Sequence, residues 1–219
     1  MRGVLATAAL LLASAAAAED VYISLEAALA ETPDLVADGA PKRFVLLEDG
    51  TVYVGGTQSV AAGRLEKAEL KDLGKRLDRV RKVPGLGASV AFGEGPQRYR
   101  LVVTKGRSLD VVVSGDPAAA PAPLKALAGL IADLASFQHA SLRPYRPATF
   151  ALRAREASLA GGCRSWSFPV PVERALAAPQ PLPAREAAGW PTGAQAASVC
   201  VNDRRYAVTL KPLLPWERP

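Results

Sequence analysis

Twice between Lys42 and His139 the chain sets two short apolar runs around a turn and follows them with a leucine stripe. That repeated order constrains the fold more than any other feature. Phe44 and Leu46 alternate with Val45 and Leu47, and Val52 and Val54 alternate with Tyr53. Asp49-Gly50 lies between them and predicts a hairpin with a type I′ turn, because Gly tolerates positive φ. Residues 60–65 read as a third, short strand. Leu70, Leu73, Leu77 and Val80 then fall on one helical face, which predicts a helix over 65–83 that Pro84-Gly85 stops. Asp72 and Arg76, and Asp78 and Lys82, stand four residues apart on its outer face. Gly74 weakens this helix slightly.

The second round begins with a strand over 88–92. Residues 98–105 and 108–113 follow as a hairpin around Gly106-Arg107, where Gly in first place suits a type II′ turn. Leu124, Leu127, Ile131, Leu134 and Phe137 mark a helix over 121–138, with Pro121 in its first turn. A helix after each hairpin can cover one face of an antiparallel sheet, so the predicted class is α+β. The hairpins read as scaffold.

The flanks differ. Arg2, the apolar run 4–12 and Ala16-Ala17-Ala18 read as a cleavable signal peptide over 1–18, with Glu19 as the first mature residue. No second long apolar run follows, so no transmembrane segment is expected after cleavage. Residues 19–41 read as an amphipathic helix over 19–35 plus linker, with Ser24 as cap and Leu25, Ala28 and Leu29 on one face. Residues 140–219 form a mainly β lobe rich in Pro and Trp; from Arg143 on there are 11 Pro and all 3 Trp. In it, 148–155 reads as a strand with Phe150, Leu152 and Ala154 on one face and Arg153 and Arg155 on a wet one. A short strand over 165–168, a Pro-interrupted stretch over 170–192 with room for one or two helical turns, and a terminal hairpin around Asn202-Asp203 complete it.

The ordered pieces Glu48-Asp49-Gly50-Thr51-Val52, Gly55, Gly106-Arg107 and Pro123-Leu124 to Leu127 resemble an uncharacterised exported bacterial domain. That domain has a strand, a DG turn, a strand, a helix, a charged hairpin and a final helix. The resemblance covers about residues 42–138. It implies an order of elements and no activity. The cysteine-bearing segment of that domain's first strand is absent here.

Two cysteines, Cys163 and Cys200, in a chain read as exported suggest one disulfide. A loop of this size would add about 4 kcal/mol on the chain-entropy model; a reactive thiol is the alternative. One His, His139, stands far from both, so no metal box is present, and no nucleotide-binding loop occurs. No cofactor is expected. His139 reads as a residue near a helix C-terminus, where the dipole favours it, ahead of a catalytic base.

Residues 64–107 carry 12 bases and 5 acids. That balance fits a solvated helix face or an anionic surface in the cell envelope; no nucleic-acid partner is expected. Arg98, Arg100, Arg153 and Arg155 alternate with apolar residues on strands. If those strands were neighbours, four guanidinium groups would line one sheet face and could hold an anionic polymer or an acidic protein. The other reading is a solvated face. Tyr99, Trp166 and Trp190 are candidate aromatic contacts, or else packing anchors. The function expected is an exported, periplasmic or secreted, non-enzymatic binding or structural protein of the bacterial envelope. The alternatives are a small exported hydrolase using carboxylates such as Asp110 and Glu156, and an inhibitor-like protein offering a loop.

Overall fold

The computed structural model describes residues 21–29, 39–157, 159 and 162–219. The expected signal segment, 1–18, lies outside the described residues. The class is α+β, with two sheets, short helices and one disulfide, Cys163–Cys200.

The first sheet contains β1 (Val21–Leu29), β2 (Phe44–Leu47), β3 (Thr51–Gly55), β4 (Val60–Arg64), β5 (Ser89–Ala91), β6 (Gln97–Val103), β7 (Leu109–Ser114) and β8 (Arg143–Pro144). Its spatial order is β5-β7-β6-β1-β2-β3-β4-β8. Neighbours are antiparallel except β5 and β7, which run parallel. The inward face presents Ile23, Leu25, Phe44, Leu46, Val52, Leu101, Val103, Val111 and Val113. Helices α1 (Lys67–Arg81) and α2 (Lys125–Ala135) cover that face. Leu73, Leu77 and Val80 of the first and Leu127, Leu130, Ile131 and Leu134 of the second enter the same core. Burying each such side chain contributes about 1.5–3 kcal/mol. Arg43 donates to the Ala135 carbonyl, one of the acceptors that the end of α2 leaves without a helical partner, and also to Gly55 O at 2.7 Å.

Five readings of this region are corrected. The stretch read as a helix over 19–35 is β1 as far as it is described; residues 30–35 lie outside the described residues. Ile23 and Leu25 point inward while Ser24 and Glu26 alternate with them, and seven β1–β6 residue pairs run from Ile23↔Val103 to Leu29↔Gln97. Pairing with β6 along its length, and with β2 as far as Leu25, outweighs the helical preference of its alanines. The first hairpin does not use a type I′ turn. Gly50 N donates to Leu47 O at 3.1 Å and Gly50 alone takes positive φ, +89°. This is a three-residue loop closed by a left-handed glycine. Asp49 instead binds Thr51 N at 2.8 Å and Thr51 Oγ1 at 2.9 Å. A Cβ at Gly50 would also meet Leu65 O at 3.0 Å. The charged hairpin pairs only as far as Val103↔Leu109, so its connection is longer than two residues. On α1, Arg76 pairs with Asp133 of α2 rather than Asp72, and Asp78 with Arg81 rather than Lys82.

The second sheet contains β9 (Thr149–Glu156), β10 (Arg164–Ser165), β11 (Gln180–Pro183), β12 (Ala197–Val201) and β13 (Arg204–Pro212), in the order β10-β12-β13-β9-β11. Phe150, Leu152, Ala154, Leu182, Val199, Tyr206, Val208 and Leu210 form its core with Phe168 and with Val172 and Ala175 of a short helix, α3 (Val172–Ala177). The terminal hairpin turns through Asn202 and Asp203, both at positive φ (47° and 63°), between the paired Val201 and Arg204. That is the two-residue loop with the twist such hairpins favour. The strand read over 165–168 is shorter, and pairs parallel with β12.

The two units meet along a seam. Leu214 and Trp216, beyond β13, pack on the rear face of the first sheet at Val45, Leu47 and Tyr53. Tyr53 meets Trp216 and Tyr145 edge to face, with centroids 5.3 and 5.4 Å apart. Gly193 lies so close to β3's exit loop that a Cβ would fall 2.3 Å from Thr57 O. Ala194 N donates to that same carbonyl at 2.7 Å.

Candidate functional site

The rear face of the first sheet is covered by the Leu214–Trp216 contacts over β2 and β3. Over β1, β6 and β7 a groove of about 460 Å³ remains open. Alternation decides its floor. Glu26 and Ala28 of β1 stand opposite Arg100 and Arg98 of β6, and Val112 of β7 lies beyond Arg100. Ala40, Pro41 and Lys42 form one wall, and Lys211 reaches in from β13 of the second sheet. The groove is therefore built where the two units join.

Its cations differ in their engagement. Arg100 grips Asp110 with two parallel bonds, Nε to Oδ1 at 3.1 Å and Nη2 to Oδ2 at 2.8 Å. That hydrogen bonding, then the charge of Asp110 and then of Glu26, raises the arginine's pKa, and the same pair holds the Asp110 carboxyl below its usual value. Lys42 and Lys211 share one carboxylate oxygen of Glu217, at 3.8 and 3.5 Å. The other Glu217 oxygen accepts from Leu214 N at 3.1 Å. Arg98 is exposed and has no ion pair among the described residues. Among the described residues Arg98 is thus the one lining cation left without an ion pair, with three further cations around it.

The structure gathers only two of the four arginines. Arg98 and Arg100 lie on β6, while Arg153 and Arg155 lie on β9 in the other sheet, so the strands are not neighbours. Nor is their face wet: both are half-buried. That face of the second sheet is turned to the residues before β2. Buried Thr209, opposite Arg153, lies where a Cβ on Gly39 would be 3.0 Å from its own. Tyr99 occupies the other side of β6 from Arg98 and Arg100. It is half-buried against the helix-covered core, where desolvation raises its pKa. Trp166 and Trp190 flank Phe168 at 5.0 and 4.5 Å at the rim of the second core. Trp166 donates to Val170 O at 2.8 Å, and Arg164 lies over Trp190 at 5.3 Å.

The two carboxylates considered for hydrolysis are apart in the fold, Asp110 on β7 and Glu156 on β9, and each faces an arginine: Arg100 for Asp110, and Arg204 at 3.5 Å for Glu156. His139 is not held by a helix end. Its Nε2 meets Glu69 Oε1 at 2.9 Å and its Nδ1 meets Ser141 Oγ at 2.7 Å. The order Glu69, His139, Ser141 has the connectivity of a catalytic triad, which sequence reading missed because Glu69 is distant in the chain. The hydroxyl, however, accepts from Arg64 N and donates to Arg64 O, both at 3.0 Å. The three residues clasp the end of β4 to the first turn of α1, where Glu69 also accepts from Glu66 N at 2.7 Å. That backbone bond is the main reason the Glu69 carboxyl titrates low.

Among the described residues no three His, Cys, Asp or Glu side chains are placed to hold a metal ion, and no helix is long and apolar enough to cross a membrane. No family model, curated protein or solved structure matches the chain.

Proposed function

We propose that this chain is an exported, non-enzymatic binding protein of the bacterial envelope, and that the groove on β1, β6 and β7 takes an anionic polymer or an acidic segment of another protein. The hairpins under two amphipathic helices are the rigid scaffold that holds the groove, and the related exported bacterial domain would share that scaffold. One observation carries the reading: Lys42, Arg98, Arg100 and Lys211 converge on a single groove whose only lining acid is Glu26. Arg98 supplies a planar, permanently charged fork for a carboxylate or phosphate. The lysines add point charges that a bound chain can share with Glu217. Asp110 and Glu217, beside the groove, are already engaged by arginine and lysine, which suits holding an anion better than moving a proton.

The test is fluorescence anisotropy with labelled poly-L-glutamate as the acidic polymer. Arg98→Ala/Arg100→Ala removes two exposed side chains and should leave the fold intact. Affinity should fall about tenfold and the salt dependence should flatten. Wild-type affinity and salt slope in the double variant would overturn the proposal.

A further inference from the structure

Helix α1 lies on the opposite side of the first sheet from the groove, and its outer surface is predominantly positive, with Asp72 and Asp78 as its exposed acids. Residues 67–82 contain seven cations and three acids. Lys67, Lys71, Lys75 and Arg79 follow one another at four-residue spacing. In an α-helix that spacing shifts each side chain by about 40° around the axis, so the four form one slanting row about 18 Å long. Lys82 falls inside the same arc. All five are exposed. None has an ion pair among the described residues: Asp78 is taken by Arg81, and Asp133, across the interhelix contact, is met by Arg76. Arg79 and Lys125 of α2 line one shallow depression, which extends the row onto the neighbouring helix. Like charges at four-residue spacing repel, so the row costs the isolated protein stability that an opposing negative surface would recover.

We infer that this face of α1 docks on an anionic phospholipid bilayer. The shape of the row selects that partner. It is convex and straight, and the shallow depression beside Arg79 is too short to follow a nucleic-acid backbone. Four of the five charges are lysine ammoniums, suited to diffuse attraction rather than to forked recognition of single phosphates. The helix exposes no large apolar side chain; Leu29, on β1, is the one large apolar residue exposed among those described. The contact is therefore superficial, reversed by salt, and leaves the groove on the far side of the sheet facing away from the lipid.

Sedimentation of the full chain with vesicles tests this. Binding should be seen at low salt on equal parts phosphatidylglycerol and phosphatidylcholine, and should be absent at high salt and on phosphatidylcholine alone. Lys67→Gln/Lys71→Gln/Lys75→Gln should weaken binding by roughly tenfold or more. Arg146→Gln/Arg174→Gln/Arg185→Gln removes the same charge from exposed positions elsewhere and should change it less than about twofold. Circular dichroism checks that both variants fold, and the three single substitutions give the same trend if the triple variant does not. Undiminished binding of the lysine variant, equal losses in the two triple variants, or binding to duplex DNA without binding to vesicles would each overturn the inference. Because the probe and the substituted residues differ from those of the groove experiment, either can fail alone.

Discussion

The two units of this molecule reach order by different routes. The first lays two helices over a sheet and gathers 21 buried side chains into one core, with leucine, isoleucine, valine and phenylalanine supplying most of the volume. The second has 12, of which Ala154, Ala175 and Ala187 contribute little, and one helix of six residues. It makes up the difference with the Cys163–Cys200 bridge, whose Cα atoms lie 5.7 Å apart. The bridge joins the residue before β10 to β12 and so ties down a two-residue edge strand that its hydrogen bonds alone would hold weakly. A covalent link is most useful where the apolar core is small.

The sharpest way to break this contrast is in the larger core. Leu77 is fully buried beneath α1. Leu77→Ala should cost about 2–5 kcal/mol in urea unfolding, through lost burial and a cavity. Ala175→Gly in the second unit should cost much less. Equal losses would mean that the second core is packed as consequentially as the first.

Next in size is the bridge. Cys163→Ser/Cys200→Ser should cost about 2–4 kcal/mol. Hydrogen exchange should speed up at β10, β12 and β13 while β1 and β6 keep their protection. Loss of protection at β1 would merge the two units.

The smallest effect is in pH dependence, with depressed carboxyls of the first unit acting at the acid end and raised tyrosines, Tyr99 in the first unit and two at the seam, at the alkaline end. Asp49, held low chiefly by its bond to Thr51 N, joins Glu69 and Asp110 as depressed carboxyls, all in the first unit. Their folded values lie below the unfolded ones. The stability they add is present above the ordinary carboxylate range and is lost as pH falls through it. Tyr53 and Tyr145, at the seam, are raised by burial. Above the ordinary phenol range the unfolded chain ionises first, so stability there falls as pH rises. Thermal unfolding followed by near-ultraviolet absorbance should show the alkaline loss reduced in Tyr53→Phe. An unchanged alkaline limb would remove Tyr53 from the explanation.

Both leucine stripes and both hairpins could be read in the sequence because their signals are local: period 3.6, period 2, and glycine at a turn. β1 could not. Its outer half, Glu26-Ala27-Ala28-Leu29, satisfies a helical pattern equally well, and only its partners on β6 decide. β11 escaped notice because Pro181 and Pro183 argue against a strand, yet it is an edge strand, where missing donors are tolerated. For the groove, alternation was enough to put Arg98 and Arg100 on one side of β6. Lys42, Lys211 and Glu217 were invisible because three distant segments bring them together. Arg153 and Arg155 carry the same alternating pattern as Arg98 and Arg100, and a pattern does not say which sheet a strand joins.

Leu214 and Trp216 lie far along the chain from Val45 and Tyr53, the residues they cover. A contact of such range must close a long loop of chain, and folds dominated by such contacts assemble slowly. Until that loop closes the back of the first sheet presents valine, leucine and tyrosine to water. During that interval a chaperone, or another copy of the same nascent chain, would find its easiest hold there.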